Sequence, residues 1–194
     1  MTQSAHNTQD PQAINRALMA RALRGPFDAE AVTQAAHDLG YDALVLKAIY
    51  PAGFKDMVRG AVTFHTDRLR SALALVDTSP MKVREKIAYA VKARLELCAD
   101  EKAAMQALVA YASRPAGAAA IARPLWAAAD MIWRWAGDTA TDYNHYTKRS
   151  LLLGVMASTT LFWLQDTSAN HSATWDFLDR RIEDVLKIGG QTGT

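Results

Sequence analysis

Residues 54–77 read FKDMVRGAVTFHTDRLRSALALVD and carry a clear helical period. Apolar side chains recur every three or four residues, the spacing of one helix face, and that face comprises Phe54, Val58, Ala61, His65, Leu69, Ala72 and Val76. Elsewhere Val and Ile are scarce, Ala and Leu are abundant, and no segment alternates convincingly. The sequence therefore predicts helices throughout and an all-α fold, in which His65 is a hydrogen-bonded core histidine rather than a base.

Helix-breaking residues divide the chain on either side of this segment. Upstream, the pattern predicts three short helices at about 12–24, 28–39 and 42–50. Downstream it predicts helices near 83–95 and 100–109, a turn at 113–117, a helix at 121–136 restarted at Pro124, and helices at 142–165 and 173–188. We therefore expect a disordered tail at 1–11, a helix-turn-helix region at 12–53, a helical bundle at 54–171 and an amphipathic C-terminal helix at 172–190.

The composition is that of a soluble protein with a substantial core. Of 194 residues, 50% are hydrophobic and 22% charged, and the net charge of +2 gives no strong attraction to nucleic acid. The single cysteine, Cys98, is expected to be a small core residue. No apolar run reaches the length of a membrane span. Residues 1–11 contain no Lys or Arg, so we expect neither a signal nor a transit peptide, and a cytoplasmic protein or a mature form already delivered.

The second and third short helices resemble a helix-turn-helix that has lost its DNA-reading chemistry. The candidate recognition helix, YDALVLKAIY at 41–50, has one cation, Lys47, and one anion, Asp42. A DNA reader needs Lys and Arg for phosphates and polar groups for base edges. Acids also outnumber bases between Pro26 and Gly60. We therefore expect no nucleic-acid partner.

No catalytic or metal-binding motif stands out. The five histidines form no metal pair at helical spacing, and the HExxH, GxSxG and GxxxxGK patterns do not occur. We expect no enzyme activity, no catalytic residue, no metal and no cofactor.

Residues 133–149, WRWAGDTATDYNHYTKR, are dense in aromatic and polar side chains. They read as the end of one helix, a turn at Gly137 and the start of the next, with Asp142 suited to the positive end of the new helix. Asp142, His145, Tyr146 and Arg149 are three or four residues apart and so share one surface. This surface is either a capped, solvated helix start or a binding surface.

This segment resembles the ubiquinone (coenzyme Q) biosynthesis accessory protein family whose members are the ninth Coq protein. The resemblance continues through LLLGVMASTTLFWLQD at 151–166, TWDFLDRRIED at 174–184 and MKVREKI at 81–87, and it spans about residues 15–190. It implies a TetR-like fold without DNA binding. It also implies an apolar pocket for isoprenoid lipids or quinone intermediates, and support of the di-iron hydroxylase that acts on demethoxyubiquinone.

The resemblance places the hydroxylase-binding surface on the start of the helix at 142–165. The partner-binding residues would be Asp142, Asn144, His145, Tyr146, Lys148 and Arg149. Family members often carry Trp where this chain has His145, so a flat aromatic anchor is replaced here by a smaller, titratable ring.

Periodicity and position suggest which residues would hold the lipid. The candidates lie on the helices at 124–136 and 142–165: Met131, Trp135, Leu152, Met156 and Trp163. On the last helix, one apolar stripe comprises Trp175, Leu178, Ile182, Val185 and Leu186. In the resembled family such a helix engages the membrane and covers the pocket. A packed terminal helix is the alternative, since its four acids and three bases match anionic lipid poorly, and the two states can coexist.

These inferences favour a non-catalytic lipid carrier, peripheral on the inner membrane and homodimeric like other TetR-type bundles. Two rival classes remain. A ligand-responsive transcription regulator would bind duplex DNA in a salt-sensitive way, and an enzyme acting on the quinone would need catalytic groups that the sequence does not display.

Overall fold

The computed structural model describes the backbone of residues 10–139 and 143–191 and the side chains of residues 10–139 and 145–185. Within these ranges the chain forms nine α-helices and no β-strand, which confirms the all-α prediction. The helices are α1 (Pro11–Ala22), α2 (Ala29–Asp38), α3 (Ala43–Ile49), α4 (Phe54–Leu73), α5 (Val83–Glu96), α6 (Lys102–Ala112), α7 (Pro115–Trp135), α8 (Tyr143–Gln165) and α9 (Ser172–Gln191).

Helix α1 begins one residue earlier than predicted. Proline is favoured at the first helical position, where its missing N–H costs nothing, and the Asp10 carboxylate accepts from the Gln12 amide at 3.0 Å. Residues 1–9 of the predicted tail lie outside the described residues. The apolar faces of α1 and α2 pack with α4 and α6 in a first core, which also holds Trp163 of α8.

Helix α3 lies on the surface and contributes no buried side chain. Its apolar residue Leu44 is 75% exposed. Gly40, with φ of 76°, allows the tight turn between α2 and α3. The residue after α3, Tyr50, is buried, and its hydroxyl donates to Asn15 of α1 at 2.8 Å. This contact fixes the end of α3 against α1.

Helix α7 corrects the predicted turn at 113–117 and the restart at Pro124. It begins at Pro115 and runs through Pro124 without interruption. A proline has no N–H, so the carbonyl of Ala120, four residues earlier, loses its helical donor. Arg59 of α4 takes that place, because its Nε donates to the Ala120 oxygen at 3.0 Å. The helix therefore tolerates Pro124 because of a tertiary hydrogen bond, and the local sequence around Pro124 does not indicate that bond.

Helix α4 ends at Leu73, four residues before the predicted Asp77. The Trp135 indole N–H donates to the Leu73 carbonyl at 3.0 Å, and the Val76 amide bonds the same oxygen at 3.2 Å in a tighter turn. Capping from another helix therefore ends α4 before the sequence break at Ser79-Pro80.

A second core joins the end of α4 to α5, α7, α8 and α9. Its fully buried side chains include Leu73, Ile132 and Leu178. The longest helices, α7 and α8, thus pack against each other, α7 also packs against α4, and α8 also packs against α9. In the part of the chain that the structure describes, no helix has the length and apolarity to cross a membrane.

Candidate functional site

An apolar cavity of about 310 Å³ lies among α4, α5, α6, α7 and α8. Eleven of its fifteen lining side chains are apolar, and the other four are His65, Arg94, Ser113 and Thr160. The apolar ones are Val62, Met105, Leu108, Val109, Ala112, Ile121, Leu125, Leu153, Met156, Ala157 and Leu161. An apolar pocket with a few polar groups is the usual form of a small-molecule site.

Among the five residues predicted to hold the lipid, the structure brings one to this cavity. Met156 lines it. Trp163 is buried in the first core, and Leu152 in the second. Met131 and Trp135 are partly buried against the second core. The periodicity of α7 and α8 identified their buried faces, but most of each buried face is used for helix packing.

The cavity lining from α4 and α6 was missed at the level of sequence. Met105, Leu108 and Val109 form the apolar stripe of α6, which was visible in the sequence. Nothing local indicates that this stripe faces a cavity rather than solid core, because that depends on how α6 is placed against α4 and α8.

A buried polar cluster lies beside the cavity where α4 approaches the end of α5. The His65 ring is buried, and its Nε2 lies 2.8 Å from a Glu101 carboxylate oxygen. Burial opposes the charged imidazole, but hydrogen bonding to Cys98 and Glu101 outweighs it and raises the pKa of His65. Burial likewise opposes the Glu101 carboxylate, but the bonds from His65 and Arg68 outweigh it and lower the pKa of Glu101.

The same cluster has the residue types of a metal site. Ligand atoms of His65, Cys98 and Glu101 lie within 4.8 Å of one another. However, Glu101 is already bonded at 2.5 Å by Arg68, whose guanidinium also donates to the Leu97 carbonyl at 2.7 Å. A carboxylate held by a neighbouring cation is a poor ligand for a second cation. We therefore interpret the cluster as an ion-pair network that fixes His65 at the cavity wall.

An aromatic surface lies at the start of α8. The rings of Trp126, His145 and Tyr146 lie close together, with centroids 6.0 Å apart for Trp126 and Tyr146 and 5.2 Å apart for His145 and Tyr146. The Tyr146 side chain is 62% exposed. Of the other predicted partner-binding residues, Asp142 and the Asn144 side chain lie outside the described residues.

Arg149, by contrast, is buried beneath this surface and is only 1% exposed. It bonds Asp130 of α7 at 2.9 Å and Asp138 of the following turn at 2.7 Å. Lys148 also bonds Asp138, at 2.6 Å, and Arg134 bonds Asp130 at 2.7 Å. Arg149 therefore supports the surface from within and does not face a partner in this conformation.

The two carboxylates of this network favour their charged forms. Burial opposes ionisation of Asp130 and Asp138, but the hydrogen bonds and charges of Arg149 and of a second cation at each site outweigh burial. The pKa of both carboxyl groups is therefore lowered. The network links α7 to α8 on either side of residues 140–142.

The predicted membrane-binding stripe of α9 faces the bundle in this structure. Leu178 and Ile182 are buried in the second core, and Trp175 and Val185 are packed against it. The Lys92 ammonium of α5 lies 5.0 Å from the centre of the Trp175 ring. The Leu186 side chain lies outside the described residues. A membrane role for this stripe requires α9 to leave its docked position.

A single carboxylate holds the start of α9. Asp166, at the end of α8, accepts from the Ser168 amide at 2.8 Å and from the Thr174 amide and hydroxyl at 2.9 and 2.5 Å. These hydrogen bonds from Ser168 and Thr174 lower the pKa of Asp166 far below its usual range. The joint between α8 and α9 is therefore fixed by charge-assisted hydrogen bonds.

The fold and the site define an all-α protein with an apolar cavity among its longer helices. The COQ9 family model matches residues 118–189, which include most of α7, all of α8 and most of α9. Over this segment the chain is similar to the COQ9 family, and the relatives that it matches are named ubiquinone biosynthesis proteins.

Relatives from distant organisms match the chain over different lengths. The probable ubiquinone biosynthesis protein coq9, mitochondrial, of Dictyostelium discoideum is 27% identical over 167 residues, or 83% of this chain and 54% of that protein. The Drosophila melanogaster COQ9 is 25% identical over 162 residues, 82% of this chain and 50% of its own length. The Rattus norvegicus COQ9 is 45% identical over 60 residues, 31% of this chain and 19% of its own. The chain thus spans about half the length of the curated relatives that it matches most extensively.

Proposed function

We propose that this chain is a non-catalytic, lipid-binding accessory protein of ubiquinone biosynthesis. It binds an isoprenoid quinone intermediate between α4 and α8 and presents it to the di-iron demethoxyubiquinone hydroxylase at the membrane. Its scaffold is that of TetR-type regulators, with a helix-turn-helix that no longer reads DNA. It is homodimeric and peripheral on the cytoplasmic side of the inner membrane.

The observation that carries this proposal is the apolar cavity. Its volume of about 310 Å³ falls at the lower end of the range for small-molecule sites. Each CH₂-sized group of a polyprenyl tail costs roughly 0.8 kcal/mol when exposed to water. A protein cavity that covers even part of such a tail therefore lowers the free energy of a quinone raised out of the bilayer.

The cavity supplies contacts rather than chemistry. His65 is the titratable base on its wall, and its Nε2 is engaged with Glu101. Protonation of this ring is favoured by Glu101 and Cys98, which makes it a poorer general base near neutral pH. These properties support a carrier in preference to an enzyme acting on the quinone.

The surface of α3 supports the loss of DNA binding. A recognition helix presents cations and polar side chains to the groove, whereas α3 exposes Leu44 and carries Lys47 as its one cation. The N-caps of α2 and α3, Asp28 and Asp42, are both acidic and disfavour the approach of phosphate groups.

The aromatic surface of Trp126, His145 and Tyr146 supports a docking role at the start of α8. Exposed aromatic side chains are typical energetic centres of protein interfaces. The buried Arg149 network ties the start of α8 to α7, so we expect a partner to meet a preformed patch. We place the hydroxylase there and assign membrane contact to α9 after it undocks.

Binding to the cavity is tested by filling it. Val109 lines the cavity from α6, whereas the neighbouring Ala110 is exposed. We expect Val109→Phe to weaken binding of a short-tailed isoprenoid quinone by about tenfold or more, equivalent to about 1.4 kcal/mol. Ala110→Phe adds the same ring outside the cavity and should leave the dissociation constant unchanged. Equal affinities in both variants, measured by isothermal titration, would show that the quinone does not use this cavity.

The role in the pathway is tested in the source organism. Deletion of the gene should raise demethoxyubiquinone and lower ubiquinone in extracted membranes, and the wild-type gene should restore both. Tyr146→Ala should not restore them, whereas Tyr89→Ala, which removes another exposed tyrosine from α5, should. A normal quinone profile in the deletion strain would overturn the role, and rescue by Tyr146→Ala would overturn the docking surface.

A further inference from the structure

Arg94 places an unusual charge at the wall of the apolar cavity. It lies in the last turn of α5, is partly buried, and lines the cavity together with His65 and Thr160. A guanidinium carries five N–H donors and cannot act as an acceptor. A cation in such a place is costly unless its charge and its donors are satisfied.

The protein satisfies Arg94 only in part. Its Nη1 donates to the Thr160 hydroxyl at 3.3 Å, a long bond, and Thr160 in turn donates to the Met156 carbonyl at 2.7 Å. Within the described part of the chain, no carboxylate forms an ion pair with Arg94, and Glu101, the acid of the polar cluster, pairs with Arg68 and His65. Burial accordingly lowers the pKa of the Arg94 guanidinium.

The groups around Arg94 also favour a ligand with a negative or electron-rich group. Arg68 neutralises Glu101, and hydrogen bonding to Cys98 and Glu101 outweighs burial to raise the pKa of His65. The carboxylate of the cluster is therefore already paired and does not balance the charge of Arg94. The lining side chains Met105 and Leu108 of α6 and Leu125 of α7 are apolar.

We propose that the cavity binds an amphiphile in one orientation, with an acceptor-only oxygen of its head group bonded by Arg94 and its apolar tail along α6 and α7. The head group is a carboxylate, a phenolate or a quinone carbonyl, which share the chemistry of an oxygen that accepts without donating. The inference rests on the proposed lipid-binding function and adds the chemical class of the head group. Arg94 contacts the head group directly, and Thr160 positions the guanidinium.

A matched pair of probes tests this orientation. Dodecanoate and dodecanol have the same tail, but only the carboxylate lacks a donor near neutral pH. We expect wild-type protein to bind dodecanoate about tenfold or more tightly than dodecanol, the usual strength of a hydrogen bond to a charged group. Arg94→Met should abolish this preference while dodecanol binding stays within about threefold, because Met fills a similar volume. Arg84→Met removes a cation from an exposed site on the same helix and should preserve the preference.

Each outcome separates the inference from the proposed function. Dodecanol binding without a carboxylate preference, or a preference that survives Arg94→Met, overturns the head-group assignment but leaves a lipid-binding cavity. Loss of both probes in Arg94→Met, with an unchanged melting temperature, also overturns it, because Arg94 would then shape the cavity rather than select the head. Failure of wild-type protein to bind either probe overturns both the assignment and the lipid-binding function.

Discussion

Replacement of Arg149 by Met should destabilise the protein far more than the same replacement at Arg134. Both arginines bond the Asp130 carboxylate, at 2.9 and 2.7 Å. Arg149 is 1% exposed and also bonds Asp138, whereas Arg134 is 68% exposed. The two substitutions therefore remove the same chemical group from one acceptor in two different environments.

The expected magnitudes follow from burial. Breaking a buried ion pair from one side costs about 3–5 kcal/mol. In Arg149→Met each carboxylate keeps one cation, since Asp130 retains Arg134 and Asp138 retains Lys148. We therefore expect the lower end of that range, about 3 kcal/mol. The exposed pair lost in Arg134→Met is worth less than about 1 kcal/mol.

Urea denaturation at neutral pH measures both values, with equal slopes showing that the denatured state is unchanged. The pH dependence supplies a second check. The pKa values of Asp130 and Asp138 are lowered in the fold, so their contribution is present above the unfolded value near 4 and is lost as pH falls through the folded values. The difference between wild type and Arg149→Met should thus shrink below about pH 4. Equal costs for the two variants, or a difference that does not change with pH, would refute the reasoning.

Two further predictions concern α7. A Cβ at Gly117 would lie 1.9 Å from the Tyr111 carbonyl oxygen, so Gly117→Ala should destabilise the protein by about 1–3 kcal/mol. Gly154 lies in open space on α8, so the control Gly154→Ala should stabilise the protein by about 0.5–1 kcal/mol. Thermal unfolding measures both variants, and an unchanged stability of Gly117→Ala would contradict the prediction. Arg59→Met should lower the free energy of unfolding by about 1 kcal/mol, because the hydrogen bond to the Ala120 carbonyl is lost. This loss should be smaller when Pro124→Ala restores a backbone donor. A double-mutant cycle that shows no coupling between the two positions would exclude the compensating role of Arg59.

The sequence predicted the buried face of α4 well. Four of the seven predicted residues are buried, namely Val58, Ala61, His65 and Leu69, and the other three, Phe54, Ala72 and Val76, are half-buried. His65 is hydrogen-bonded, as its place in an apolar stripe suggests. This succeeded because the helical period depends on one segment alone. The end of α4 was predicted less well, because Trp135, some sixty residues away in the chain, bonds the Leu73 carbonyl and stops the helix early.

The candidate site was harder to predict than the fold. The sequence indicated the aromatic surface around Tyr146, since closely spaced aromatic and charged residues are visible locally. The cavity was not localised, because Trp163 and Leu152 fill solid core and Met131 and Trp135 pack partly buried against it. Whether a buried residue faces core or cavity depends on the angles at which five helices meet, and periodicity carries no information about those angles. The interior position of Arg149 likewise depends on Asp130, one helix away.

The Asp166 bonds also determine how α9 can move. Three hydrogen bonds to one carboxylate clamp Ser168 and Thr174, so a displacement of the helix has its pivot near residue 174. From there to Val185, α9 is a rigid arm of about 16 Å at 1.5 Å per residue. A small tilt leaves Trp175 almost in place while Ile182 and Val185, farther along the arm, separate from the second core. Helix α9 would therefore swing about the Asp166 contacts, so that Ile182 and Val185 separate from the second core before Trp175 does.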